Sequence, residues 1–308
     1  MAALDSVFLK LLPIYFLIFL GFVAGKFIKL DKKTIGTYIV YLLSPAIVFN
    51  GTYRTHLTPS ILTFPILFYI LCNSICLISW LLAKPIWADK TRNLLAFSAG
   101  FSNIGYFGLP TAIALLGPQA EGPVALILLA LQLFISTTGL FVAALGNLSP
   151  GKSLVKLLSM PYIYAFAAGL FFNYFQIELG AVYNDTINLF RGAYTVIGTS
   201  FMGIVISKNS DLSFDWKYIT ASLVSKYIFW PIASLGVVLL DMFWFKLYSL
   251  EIYKVMLIIS IVPIGTNIIA FAADMNLEVE KTATAVLIST IISSFLVPVV
   301  GILIINYL

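Results

Sequence analysis

The chain has 308 residues, of which 61% are hydrophobic and 10% charged. That balance lies far from the soluble norm and leaves no polar stretch long enough for a separate soluble domain, so a polytopic helical membrane protein is expected. The formal charge of +5 is no nucleic-acid signature, because the Lys and Arg residues sit in short loops between apolar runs, as a positive-inside bias requires.

Hydropathy divides the chain into ten expected spans, near 5–28, 34–53, 60–83, 93–117, 122–147, 153–175, 186–208, 216–243, 250–273 and 281–306. The first apolar stretch, Val7 to Ile28, is too long for the apolar region of a signal peptide and lacks a small-residue cleavage site, so it reads as a true span. The connections are short and polar: KLDKKT at 29–34, KPIWADKTR at 84–92, GPQAEGP at 117–123 and NLSPGK at 147–152. His56, the single histidine, falls in the 2–3 loop and reads as solvated. One histidine also rules out an HExxH zinc pair. Cys72 and Cys76 lie four residues apart in span 3. They read as small apolar residues on one helix face, since no His or carboxylate is near for a metal and two sulfurs on one regular helix do not suit a disulfide.

Loop charges set an expected orientation. Lys26, Lys29, Lys32, Lys33, Lys84, Lys90, Arg92, Lys152, Lys156, Lys208, Lys217 and Lys281 belong to connections 1–2, 3–4, 5–6, 7–8 and 9–10. The opposite side carries only Lys10, Arg54, Arg191, Lys246 and Lys254. The richer side is expected to be cytoplasmic, with both termini extracytoplasmic and the chain in a plasma (inner) membrane. Cutting the ten spans at 147–152 gives two units, 1–147 and 153–308. An odd number of spans per unit makes them inverted repeats, which place a substrate near the midplane where the units meet.

Two spans are broken at matching places. Span 4 contains FSNIGYFGLP, Phe101 to Pro110, and span 9 contains IVPIGTNIIAFA, Ile261 to Ala272. Pro110 removes a backbone donor and suits the first turn of a new half-helix, whose N-terminus would point into the membrane as an anion site. Gly105 permits close backbone approach, and Asn103 can donate and accept at the break. Pro263, Gly265, Thr266 and Asn267 do the same in span 9. Paired discontinuous helices are the best sequence pointer to a transporter binding site. These seven residues are therefore substrate-binding candidates.

Lys226 is the one charge expected deep in a span, and an intramembrane cation is a functional candidate by default. Its alternative is to snorkel to the surface or to bond carbonyls at the break. Tyr15, Asn50 and Gln132 are weaker candidates, for which packing-level hydrogen bonds serve as well. The acids Asp5, Glu178, Asp241 and Asp274 fall at span ends, so a carboxylate proton relay has no carrier, and a cation site would rest on carbonyls, amides and hydroxyls. No metal site and no cofactor is expected. GTSFMG at 198–203 is not a nucleophile elbow, and no buried aspartate pair exists for a protease, so no enzyme is expected. The sequons at Asn50 and Asn184 are short enough to occur by chance.

At these residues the chain resembles the auxin efflux carrier family, especially its short prokaryotic members. The matching stretches are LLSPAIVF in span 2, NIGYFGLP in span 4, SKYIFWP in span 8 and PIGTNIIAFA in span 9. The resemblance spans nearly the whole chain, and the span 4 and span 9 motifs are its specific part. It implies an all-α fold of ten helices in two inverted five-helix repeats, with helices 4 and 9 broken and crossing, similar to bile-acid sodium symporters and sodium/proton antiporters. It further implies a scaffold from spans 1, 2, 6 and 7, a mobile transport unit from spans 3–5 and 8–10, and a homodimer in the lipid bilayer. The implied substrates are small organic anions, auxin-like or of the malonate and malate type, moved by an elevator motion. Na+ or H+ coupling stays open. The alternatives are a sodium-coupled symporter of the bile-acid-carrier type and a non-transporting membrane receptor or scaffold.

Overall fold

The computed structural model of the chain describes residues 2–55, 58–143, 159–207, 213–275 and 277–307. His56, Lys152, Lys156, Lys208 and the 147–152 connection lie outside the described residues. Helices follow one another in the order α1 (Ala2–Phe27), α2 (Lys32–Arg54), α3 (Pro59–Ala83), α4 (Thr91–Gly100), α5 (Ile104–Leu116), α6 (Pro118–Ala143), α7 (Pro161–Tyr174), α8 (Gly180–Ser207), α9 (Trp216–Phe245), α10 (Leu250–Ser260), α11 (Ile268–Asp274) and α12 (Val279–Tyr307). Among the described residues, seven helices are long and apolar enough to cross a bilayer: α1, α2, α3, α6, α8, α9 and α12. Large apolar side chains such as Phe16, Phe19, Leu235 and Phe295 stand exposed along them. In water that surface would be a liability; in hydrocarbon it is the solvated face.

Local chemistry sets the helix ends. Asp31 caps α2 by accepting from Lys33 N–H at 3.1 Å and Thr34 N–H at 3.2 Å, which starts the helix ahead of the expected residue 34. Asp215 caps α9 by accepting from Tyr218 N–H at 3.2 Å. Buried Asp241 closes the turn into α10, accepting from Leu247 and Tyr248 N–H and from the Tyr253 hydroxyl at 2.6 Å. The expected 117–123 loop is mostly helix. A 3-10 turn at Pro118–Ala120 leads straight into helix at Glu121, and Pro123 is tolerated because first-turn N–H groups have no intrahelical acceptor.

Three helices widen to a π turn just ahead of a proline. Ile39–Leu43 precedes Pro45, Ile104–Gly108 precedes Pro110, and Ser225–Phe229 precedes Pro231. Each ring removes one helical hydrogen bond, and the wider turn is the local response. α1 packs along α8, where Gly21 and Gly203 let the two backbones touch; a Cβ at either would collide with main chain of the other helix.

Polar residues collect at two ends of the helix bundle. At one, Thr91 donates to Glu278 and Lys281 bridges Glu278 and Asp215, with Lys32 and Lys33 on a cavity wall that also includes Val279. At the other lie Arg54, Glu121, Asn184 and Arg191.

Candidate functional site

The two breaks meet. Between α4 and α5 the chain is extended at Phe101–Asn103, and between α10 and α11 it is irregular over 261–267. Ser102 and Ile264 form an antiparallel bridge. Asn103 N–H donates to the Pro263 carbonyl at 2.8 Å, and Gly265 N–H donates to the Phe101 carbonyl at 2.8 Å. Gly265 is required there, because an added Cβ would lie 2.6 Å from the Phe101 ring.

Further backbone groups of the crossing find side-chain partners, as a low-dielectric interior favours. Pro110 cannot donate to the Tyr106 carbonyl, and the Thr199 hydroxyl on α8 does so instead at 3.1 Å. Ser293 on α12 donates to the Ile261 carbonyl at 2.8 Å, and Ser289 accepts from Ile264 N–H at 3.2 Å. Trp230 Nε1 donates to the Ala99 carbonyl at 2.7 Å, at the end of α4. Unbroken helices therefore supply polar side chains to the broken ones.

Side chains lock the crossing further. Asn103 Nδ2 donates to Thr266 Oγ1 at 2.7 Å, joining the two breaks. Asn267 Nδ2 donates to Tyr106 Oη at 3.3 Å. A cavity of about 60 Å³ opens here, lined by Ser102, Asn103, Gly105, Tyr106, Gln132, Tyr162, Tyr194, Gly265, Thr266 and Asn267 among others. Tyr106, Thr266 and Asn267 also line a second cavity of about 630 Å³ that reaches Lys32 and Lys33. Tyr106, Thr266 and Asn267 are thus a wall common to the crossing and to the wider cavity at the Lys32–Lys33 end.

Of the residues expected from sequence, Asn103, Gly105, Gly265, Thr266, Asn267 and Gln132 are brought together around the small cavity. Pro263 contributes its carbonyl to the bridge; Pro110 falls inside α5, just after its π turn, and not in the first turn of a new half-helix as expected, because the chain is already helical from Ile104; neither lines the cavity. Lys226 lies behind the crossing at 1% exposure. Its Nζ donates to Ser102 Oγ at 2.6 Å and stands 4.9 Å from the Trp230 ring centre. Tyr15 is away from the site, beside Phe8 on α1, and its hydroxyl has no hydrogen-bond partner. The second half-helix differs from expectation in one respect. The first N–H groups of α11, at Ile268 and Ile269, already bond the Gly265 and Thr266 carbonyls, so they are not open donors.

Asn50 belongs elsewhere. It is wholly buried, which also closes its sequon to modification in the folded chain. Its Nδ2 donates to Glu121 Oε1 at 2.7 Å, and its Oδ1 accepts from Tyr183 at 2.9 Å and from Arg54 Nε at 3.1 Å. Glu121, 2% exposed, is ion-paired with Arg191. The cluster ties α2, α6 and α8 together beside a cavity of about 660 Å³.

Sequence reasoning missed Ser102, Tyr106, Tyr162 and Tyr194 at the centre, and Glu121 at the end. Gly105 held a clue to one of them. A Cβ there would lie 2.6 Å from Tyr194 Oη, so the missing side chain makes room for that hydroxyl.

A bundle of membrane-length helices whose two interrupted members pair around a small cavity defines a polytopic integral membrane protein. Residues 6–148 match the family model described as membrane transport protein. The matched stretch, just under half of the chain, contains the NIGYFGLP motif and is similar to that family of membrane transporters. The chain is 36% identical over 124 residues to a Rhizobium meliloti (strain 1021) protein named "Putative malonate transporter", covering 38% of this chain and 38% of that protein. The match therefore spans well under half of that relative. It is 21% identical over 300 residues to an "Uncharacterized transporter" of Methanothermobacter thermautotrophicus, covering 93% of this chain and 95% of that protein.

Proposed function

We propose that this chain is a secondary transporter that moves a small organic anion bearing one or two carboxylates by alternating access. One observation carries the reading. Tyr106, Thr266 and Asn267, held at the junction of two broken helices beside Asn103, form a wall shared with the cavity that opens toward Lys32 and Lys33. Amide and hydroxyl donors suit carboxylate oxygens, and the two lysines draw anions to the opening. The relative whose name includes malonate points to the same substrate class.

In this reading the helices make ten spans, counting α4 with α5 and α10 with α11 as one broken span each, in two inverted repeats. Spans 1, 2, 6 and 7 are a scaffold that pairs in a homodimer; spans 3–5 and 8–10 move as a transport unit. The Lys32–Lys33 end is cytoplasmic, and the cavity there is the inward-facing access path. The ion-paired cluster of Glu121 and Arg191 closes the opposite end.

Uptake of radiolabelled malonate and indole-3-acetate into proteoliposomes tests the reading. Saturable uptake that falls in Asn267→Ala supports it. Saturable uptake that requires a sodium gradient would instead favour a sodium symporter. No uptake of either anion by well-folded protein would leave a receptor or scaffold as the better account.

A further inference from the structure

We propose that Lys226 is a built-in counter-charge of the transport unit, one that cancels the charge of a bound monocarboxylate so that the loaded carrier crosses the membrane field as a neutral body. The inference rests on the anion-transport reading above and names how that site is coupled to voltage.

Lys226 sits on the π turn of α9, where the helix widens ahead of Pro231. Its Nζ makes one hydrogen bond among the described residues, to Ser102 Oγ at 2.6 Å. Its other neighbours are the Trp230 ring and the Cys72 thiol on α3, both uncharged. Among the described residues no carboxylate pairs with it. A buried ammonium without a counter-ion is costly, and an anion nearby offsets that cost. Ser102 supplies the connection. One of its faces holds the lysine, and it also lines the small cavity between Asn103 and Phe101. A carboxylate in that cavity is one side chain away from Nζ. The two charges form a pair through the serine hydroxyl, on the buried side of the cavity, where screening is weaker than in bulk water.

The arrangement separates two steps of the cycle. A loaded carrier holding a monoanion carries the lysine and the substrate, with no net charge at the site. An empty carrier returns with the lysine alone, carrying one positive charge. Membrane potential then acts on the empty return and leaves the loaded crossing untouched. A full charge moved across 100 mV shifts an equilibrium by about 50-fold, so the distinction is measurable.

Homo-exchange of a labelled substrate visits loaded states alone, and it provides the test. Wild type, Lys226→Gln and Lys226→Arg are reconstituted with equal indole-3-acetate inside and outside. The potential is set at zero or about 100 mV with potassium and valinomycin. Wild-type exchange is expected to be unchanged by potential, and Lys226→Arg to match it. Lys226→Gln is expected to respond severalfold. Net efflux, which includes the empty return, is expected to respond in wild type. Wild-type exchange that varies severalfold with potential would overturn the proposal, and that arm holds even if Lys226→Gln fails to fold. Equal insensitivity in wild type and Lys226→Gln would overturn it too. If folded wild type exchanges no carboxylate, the anion-transport reading falls first and the counter-charge with it.

Discussion

The crossing at the centre and the cluster at the Arg54 end are both buried and polar, yet they are built from opposite materials. The centre is held by backbone groups, amides and hydroxyls, with one ammonium behind it. The end is held by charge: Glu121 against Arg191, with Asn50 accepting from Arg54 and Tyr183. A neutral network keeps its geometry and leaves room for an incoming charge. A closed ion pair holds two helices together and has little left to offer a ligand. The contrast teaches that burial of polar residues alone does not mark a binding site; what matters is whether the network is already electrically complete.

The largest effect is expected at the charged end. Arg191→Ala leaves buried Glu121 unpaired and should cost about 3–5 kcal/mol of stability, seen as an early loss of monodisperse protein on heating in detergent. The double variant Glu121→Gln with Arg191→Gln should recover most of that loss. If single and double variants melt alike, the charge pair is not what holds this end.

Next come the residues facing the cavity. Asn103→Ala and Asn267→Ala should each lower transport efficiency by about 1–3 kcal/mol, or roughly 5- to 150-fold, and Asn103→Ala should also cost about 0.5–1.5 kcal/mol of stability through its lost bond to Thr266. Transport at wild-type efficiency in both would remove the centre as the substrate site.

A smaller effect is expected behind the site. Thr199→Val keeps the side-chain shape but leaves the Tyr106 carbonyl without its donor, at a cost of about 1–2 kcal/mol in stability. Pro110 makes this replacement damaging, since no helical N–H can take over. A neutral result would mean the carbonyl finds water from the cavity.

The smallest change should follow Tyr183→Phe. It removes one of several bonds to Asn50 and should cost about 0.5–1.5 kcal/mol, leaving the Glu121 and Arg191 pair in place. A loss as large as that of Arg191→Ala would show that the hydroxyl, and not the charge, organises the end.

The breaks were legible in the sequence because Pro, Gly and Asn interrupt an apolar run where a bilayer tolerates no interruption. Their partners were not. Thr199, Ser289 and Ser293 sit in unbroken helices, where a lone hydroxyl looks like any small residue in a span. Tyr162 and Tyr194 read as ordinary aromatics, since nothing local shows which face they present. Glu121 was hidden by its neighbours: Gly117, Pro118, Gly122 and Pro123 spell a loop, although the last proline falls where a helix start accepts it. Lys226 was legible as a buried cation, but its pairing with Ser102 depends on a contact between residues far apart in the chain.

The bridge between Ser102 and Ile264 has a mechanical consequence. Two backbone hydrogen bonds and the Asn103–Thr266 bond weld the interruptions into one unit, so neither can swing away from the other without leaving donors bare. The cavity therefore has one stiff wall, made by the weld, a flank made by Leu128, Leu131, Gln132 and Ile135 on α6, and a separate wall made by Tyr162 on α7 and Tyr194 on α8. The seam between weld and tyrosines can open without breaking any bond of the weld. The amide protons of Asn103 and Gly265 should then be among the slowest in the chain to exchange with solvent deuterium, even while the seam beside them opens and closes.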